Sequence, residues 1–356
     1  MRPTLQTVAN AVGVSRSTVS NAYSRPDQLS PQLREKILET AKKLGYAGPD
    51  PMGRSLRRGR AGAIAVLLAP TVSYAFTDPY AVQFMKGLAE TAERHETGVL
   101  LVPLKDDDED ALATVQSASV DGFCVYCVPG WFRAMKAAWA RGLPIVNSSY
   151  RGDDDAEAMF VGIDEAAATR VVGQHLIALG HRHVAVIGTQ LDDGESVGPV
   201  TLETPDGLES YVSRERLRGY RDVFAEAGVA WSDILTINAA GNSRREGEEA
   251  AVYALDRAPR PTAVIALTDV LALGVLDVLA ARGLKAGRDV SVAGFDDIPD
   301  AASNQLTTVR QSATERGRVA AELLLDPPSD PASWHVVLPA ELIVRASTGP
   351  AQKGNP

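Results

Sequence analysis

The sequence predicts a small all-α domain of the helix-turn-helix type followed by a larger α/β body folded as two lobes. Three observations carry this expectation. Residues 4–24, TLQTVANAVGVSRSTVSNAYS, set apolar residues at helical spacing on both sides of a Gly-Val-Ser break. From Ala63 onward, short apolar runs alternate with longer amphipathic stretches, the pattern of a parallel sheet with crossover helices. The chain has 356 residues, and at roughly 150 residues per domain that length predicts two or three domains.

In the head, Thr4 caps a helix carrying Val8, Ala9 and Val12, and Gly13 with Ser15 ends it and starts the next. The second helix covers Arg16 to about Tyr23, with Val14 and Val19 burying it. Ser30-Pro31 opens a third, with Leu33, Ile37, Leu38, Ala41 and Leu44 along one face and Gly45 as its stop. The following segment, from Gly48 through MGRSLRRGR, has almost no apolar content and reads as a linker. Asp50 and Pro51 also permit two turns of helix there, but Gly53 weakens them by about 1 kcal/mol, so they need a surface to fold against.

The apolar runs of the body are 63–69, 99–104, 121–128, 144–149, 183–188, 263–268 and 289–295. Helical stretches fall at 80–96, 109–118, 132–141, 165–180, 214–228, 244–257, 269–283 and 312–326. So many strands exceed one comfortable sheet, which is why two lobes are expected. Residues 190–213 have neither period and read as a lid or a disordered loop. The expected boundaries are 1–47 for the helical domain, 48–60 for a hinge helix or linker, 61–346 for the body and 347–356 for a polar tail. Within the body, the first lobe takes 61–160 and 296–326, and the second takes 161–295 and 327–346.

Hydrophobic residues at 45% and charged residues at 23% exclude a largely disordered chain. No apolar run is long enough to span a bilayer, no leader pattern opens the chain, and two cysteines make no disulfide framework, so no membrane contact and a cytoplasmic location are expected. The net charge of −9 argues against a nucleic-acid partner until it is divided. Residues 1–60 hold eleven basic and four acidic side chains, a balance of +7, and the remainder holds 25 and 41, a balance of −16. A basic head on an acidic body implies that only the head meets a polyanion. On its second helix, Arg16, Ser17 and Asn21 share the free face; Arg can pair bidentately with guanine and Asn with adenine in the major groove.

The stretch VANAVGVSRSTVSNAYSRPDQLSPQLREKILETAKKLGY resembles the DNA-binding domain of the lactose/galactose repressor (LacI/GalR) family. Gly180-His181, RLRGY at 216–220, TDVLALG at 268–274, GFDDIP at 294–299 and LTTVRQ at 306–311 extend the resemblance, in order, over nearly the whole chain. It implies a small all-α helix-turn-helix DNA-binding domain plus a two-lobed α/β periplasmic-binding-protein-like effector domain. It further implies a homodimer reading a pseudo-palindromic double-stranded operator, with hinge segments in the central minor groove. Leu56 would be the apolar wedge there, or else a residual core residue, and Arg54, Arg57, Arg58 and Arg60 would contact phosphates. Asp50 and Gly53 depart from the family hinge, which loosens the free hinge helix.

For the body, the resemblance implies a small-molecule effector between the lobes, beyond the carboxyl ends of the strands. Asp296 matches the family acid that accepts from effector hydroxyls or amines, although it also suits a loop cap. Arg216 matches an effector-contacting Arg, or pairs with the acidic insert. Thr268 and Asp269 follow an apolar strand as a polar pair, with Asp269 alternatively capping the next helix; Tyr74, Phe76, Tyr126 and Ser149 lie at strand ends of the first lobe. Asn242 stands where many relatives place a pocket aromatic, so a smaller or more polar effector, sugar-like or nucleoside-like, is expected, unless Trp231 or an aromatic of the insert supplies the ring.

Other motifs point nowhere sharper. Cys124 and Cys127 have CxxC spacing inside a strand and no second pair, His181 and His183 lack a helical HExxH context, and the acidic clusters at 105–110 and 153–155 suit helix starts. There is no P-loop, dinucleotide fingerprint or GxSxG elbow, so no cofactor, metal or catalysis is expected. The expected function is a ligand-responsive, DNA-binding transcriptional repressor. The alternatives are a soluble sugar-binding protein, which the basic head disfavours, and an α/β sugar-modifying enzyme.

Overall fold

Residues 3–48, 60–68, 71–104, 109–126, 133–148, 158–192 and 196–352 are described by the structure, a computed structural model. They belong to two units, Met1–Gly62 and Ala63–Pro356.

The first unit holds α1 (Leu5–Val12), α2 (Arg16–Ser24), a 3-10 turn at Pro26–Gln28 and α3 (Pro31–Lys43). Thr4 and Thr7 form a capping box on α1, Gly13 ends it at φ +81°, and Ser15 and Ser30 accept from the third-position amides of α2 and α3. The apolar stripes meet in a core of Val8, Ala9, Val19, Ala22, Ile37 and Ala41, each at most 1% exposed. Arg34 Nε donates to the Ala22 carbonyl at 3.2 Å, which ties α3 to the C-terminal end of α2.

The second unit begins with β1 (Ala63–Leu68), α4 (Tyr74–Thr77), α5 (Pro79–Arg94), β2 (Gly98–Pro103), α6 (Glu109–Ser117), β3 (Phe123–Tyr126), α7 (Arg133–Ala140), β4 (Ile145–Asn147) and β5 (Met159–Gly162). The chain then crosses to α8 (Glu165–Ala178), β6 (Val184–Gly188), β7 (Gly198–Val200), α9 (Tyr211–Glu226), β8 (Leu235–Asn238), α10 (Arg244–Leu255), β9 (Ala263–Ala266), α11 (Asp269–Ala281) and β10 (Ser291–Ala293). It closes with α12 (Pro299–Ser303), β11 (Thr308–Gln311), α13 (Ala313–Leu325), β12 (His335–Val337) and β13 (Ala340–Ile343). One parallel sheet runs β12-β5-β4-β3-β1-β2; the other runs β10-β9-β6-β8-β7, parallel except for its last strand. Burial on both faces gives the central strands their unbroken apolar runs. In the first lobe α5 and α13 pack at backbone distance: a Cβ on Gly87 would sit 1.9 Å from the Thr314 carbonyl oxygen, and one on Gly317 would sit 2.0 Å from that of Phe84.

Three expectations are corrected. The lobes exchange chain at other points than expected. Within 296–326, residues Asp296 to Gln311 stay with the second lobe, where Ala293 bridges Thr307 and Thr308 bonds Asp269, while α13 alone returns to the first. Within 327–346, β12 pairs with β5 in the first sheet. The insert is not without structure: β7 adds an antiparallel edge to β8, and Asp206 is held by Arg221 at 2.7 Å and Arg218 at 3.3 Å. The polar tail is built in as far as Ala351. Ser347 is 2% exposed and donates to the Val292 carbonyl at 2.6 Å, and the Ala351 amide donates to Leu179. No apolar period announces such a segment, because its contacts are backbone and hydroxyl hydrogen bonds.

Candidate functional site

In the first unit, Arg16 is the first residue of α2 and is exposed, as is Ser17. A cation in the first helical turn opposes the helix dipole, at a cost of about 0.3–1 kcal/mol, so Arg16 does not stabilise its own helix. Ser17 Oγ lies 2.7 Å from the capping Ser15 Oγ. Asn21 is half-buried, and its amide donates to Gln28 Oε1 at 3.2 Å, so the 3-10 turn fixes its orientation. Arg60 is exposed; Arg54, Leu56, Arg57 and Arg58 lie outside the described residues, as do Asp50 and Gly53.

In the second unit, polar groups converge where the carboxyl ends of both parallel sheets face each other. Arg216, on α9, is buried: Nε donates to Glu165 Oε2 at 2.8 Å, Nη1 donates to the Leu267 carbonyl, and Nη2 stands 3.9 Å from Asp296 Oδ1. Its guanidinium carbon lies 3.6 Å from the centre of the Phe295 ring. Arg216 therefore pairs with Glu165 rather than with the acidic insert, which Arg218 and Arg221 hold instead. Asp296 follows β10 with φ at +120°, a left-handed backbone that costs a non-glycine residue of order 1–3 kcal/mol. The loop is held there because the Asp296 amide donates to the Val309 carbonyl at 2.8 Å and Gln311 Nε2 donates to Asp296 Oδ1 at 2.7 Å. Burial pushes the Asp296 carboxyl well above the usual carboxylate range; Arg216 opposes this, while the charges of Asp269 and Asp78 add to it.

Asp269 opens α11 but does not cap it; Thr268 does, accepting from the Leu271 amide. Fully buried, Asp269 accepts from Thr308 Oγ1 at 2.6 Å and from the Ile298 amide at 3.0 Å, so it fastens the Asp296 loop rather than facing the cleft. Burial raises its carboxyl to about 6. On the first lobe, Arg316 of α13 is buried and reaches Tyr80 Oη at 3.2 Å, Gln311 Oε1 at 3.4 Å and the Val161 carbonyl at 3.3 Å. Gln311 thus links the two arginine centres. Asp78 caps α5 through Oδ1, which accepts from the Tyr80 amide at 2.7 Å, and its Oδ2 accepts from the Tyr74 hydroxyl and from Asn242 Nδ2.

Of the expected site residues, the structure brings together Arg216, Asp296, Thr268, Asn242 and Tyr74. Tyr126 is 3% exposed and packs on Phe84 with ring centres 4.6 Å apart, a core position. Phe76 lies on α4 and is 64% exposed. Ser149 lies outside the described residues, as does Cys127. Trp231 cannot supply a cleft ring: its indole donates to the Leu202 carbonyl at 3.0 Å and packs on the second-lobe core. Burial pushes the Cys124 thiol up to about 12, and His181 is buried with its ring nitrogens at Thr262 and Gly349. Glu165, Asp78, Gln311 and Arg316 are additions. Asp78-Pro79 reads as an ordinary helix start, and nothing in an amphipathic period separates a buried charge from a solvated one. Among the described residues no group of three metal-ligating side chains occurs, and no helix is long and apolar enough to cross a membrane.

Comparison with known proteins matches residues 4–48 to the family model "Bacterial regulatory proteins, lacI family" and residues 173–348 to "Periplasmic binding protein-like domain". An HTH-type transcriptional regulator of Mycobacterium tuberculosis is 38% identical over 98% of both chains. The crystal structure of a LacI-family transcriptional regulator from Corynebacterium glutamicum superposes with a TM-score of 0.73 at 33% identity, covering 99% of each chain. A complex of the regulator CelR with cellobiose superposes with a TM-score of 0.67 at 26% identity, covering 97% of this chain and all of that one.

Proposed function

The chain belongs to the lacI family of bacterial regulatory proteins, and from that premise we propose that this DNA-binding transcriptional regulator is a homodimeric repressor controlled by an uncharged, sugar-like effector held between its lobes. The observation that carries the effector site is the convergence on one buried centre of Arg216, Glu165 and Asp296 from the second lobe with Arg316 and Asp78 from the first. Buried polar groups are kept at such cost where they orient a ligand or couple two bodies. Because Gln311 and Asn242 join the two sides, a ligand entering there changes how the lobes are held. That change passes through residues 48–60 to the reading heads, and a coupling of about 1–3 kcal/mol is typical. The cellobiose complex of a relative supports a sugar-like ligand.

Dimerisation is supported by β2, an edge strand of the first sheet whose Val99 and Leu100 are each 37% exposed; an exposed apolar edge favours a partner surface. In the dimer, Arg16, Ser17 and Asn21 read each half-site, Arg54, Arg57, Arg58 and Arg60 contact phosphates, and Leu56 wedges a central base step. The acidic body is repelled from the duplex, so contact is confined to the basic head. Selection of DNA from a random pool by the full-length chain tests this: an inverted repeat is expected, and an asymmetric site would remove the dimer. Leu56→Ala should bind the selected site more weakly and bend it less; unchanged bending removes the wedge.

A further inference from the structure

Asn242 spans the cleft with the chemistry of a small polar solute. It sits in the loop between β8 and α10, on the second lobe. Its Nδ2 donates to Asp78 Oδ2 at 2.9 Å and lies 3.1 Å from Tyr74 Oη, both on the first lobe, while its Oδ1 accepts from Thr268 Oγ1 at 2.6 Å. One carboxamide therefore satisfies an acceptor on one lobe and a donor on the other. Asp78 is 7% exposed, and its second oxygen is already engaged by the Tyr80 and Ala81 amides. Without Asn242, a buried carboxylate loses a cross-lobe donor, which is costly wherever water cannot replace it.

We propose that Asn242 is a built-in surrogate ligand, and that the effector takes over the pair Asp78 and Thr268 with a hydroxyl that donates to the first and accepts from the second. This rests on the effector reading above and adds Asp78 as the first-lobe binding residue. The geometry also fixes the ligand's charge. Asp78 and Asp296 line the centre as acceptors, while Arg216 and Arg316 direct donors to Glu165, Gln311, Tyr80 and the Leu267 and Val161 carbonyls. A hydroxylated molecule without negative charge fits, and its phosphorylated or carboxylated counterpart meets the Asp78 carboxylate, which makes no ion pair among the described residues and accepts only from Tyr74, Asn242 and two backbone amides.

The test uses the full-length chain without any effector. Asn242→Ala removes the bridge, so its radius of gyration in small-angle scattering should exceed that of the wild type. Formamide, the severed end of the side chain, should restore the wild-type value, and formate, of the same shape but anionic and without an amide donor, should not. Asp78→Asn, which keeps a competent helix cap, should open the lobes too and keeps the test alive if Asn242→Ala folds poorly. Scattering of both variants indistinguishable from wild type overturns the bridge. Rescue by formate as good as by formamide overturns the charge selection, and opening that neither solute reverses overturns the surrogate-ligand assignment. Operator affinity of the same variants separates the two readings: lobes that open while operator binding stays unchanged remove the effector coupling and leave the bridge intact.

Discussion

Arg216 Nε and Glu165 Oε2 stand 2.8 Å apart with side chains 6% and 3% exposed, a buried ion pair of the second lobe beside Asp296. Two buried charges lose most of their hydration, so the pair itself adds little net stability. Loss of one partner leaves the other uncompensated. Arg216→Ala is expected to destabilise the chain by about 3–5 kcal/mol, and the double variant Arg216→Met with Glu165→Leu by much less. Urea denaturation of the three proteins checks this. Equal losses for the single and double variants would mean that Arg216 acts through the Leu267 carbonyl and Phe295, not through its charge partner.

Asp269 makes the body's stability depend on pH in the sense opposite to a surface carboxylate. Burial raises its carboxyl from 3.8 to about 6, so between those values the folded protein binds the proton and the unfolded chain does not. The contribution is therefore full below about pH 4, declines as pH rises through the window, and is flat above about pH 6. The difference in unfolding free energy between wild type and Asp269→Asn is expected to fall across that interval and then level off. A difference that rises with pH would place the charged form of Asp269 in the folded state throughout.

Gly87 marks where the first lobe tolerates no side chain. Alanine gains about 1 kcal/mol in helix propensity over glycine, but its Cβ would lie 1.9 Å from a backbone oxygen on α13, an atom that cannot rotate away. Overpacking of this kind costs about 1–3 kcal/mol or more. Gly87→Ala is expected to lower the melting temperature despite the propensity gain, and a raised one would show that α5 and α13 separate without loss.

Much of this architecture is legible in the residue pattern. Helices at 79–94, 165–178, 244–255 and 313–325 fall within two or three residues of their expected spans, because caps such as Asp164, Ser243 and Ser312 and the 3.6-residue period act locally. Strands β5, β7, β8, β11, β12 and β13 fall outside the expected runs, since each has only three or four residues; β5 and β8 are buried in the middle of their sheets, but MFVG and LTIN are too short to stand out as apolar runs. In the site, Arg216 and Asp296 were legible through motif resemblance. Their partners Glu165, Gln311 and Arg316 were not, because each lies far along the chain from the residue it touches and only the folded topology brings them together.

The reading head offers a prediction in which folding and recognition move in opposite directions. Arg16 occupies the first turn of α2 with no acidic residue beside it there, so it burdens the helix while presenting an exposed fork of donors. Arg16→Ala is expected to leave thermal stability unchanged or slightly higher. It should nevertheless lose about 1–3 kcal/mol of discrimination at one base pair of each half-site, with little change at the others. Arg60→Ala should instead weaken binding to every sequence alike and flatten the salt dependence by about 0.9 log units per log unit of salt for each phosphate it leaves unneutralised. Anisotropy titrations of matched and single-substituted operators at several salt concentrations distinguish the two. If Arg16→Ala lowers affinity uniformly and flattens the salt slope, Arg16 binds a phosphate and base reading passes to Ser17 and Asn21.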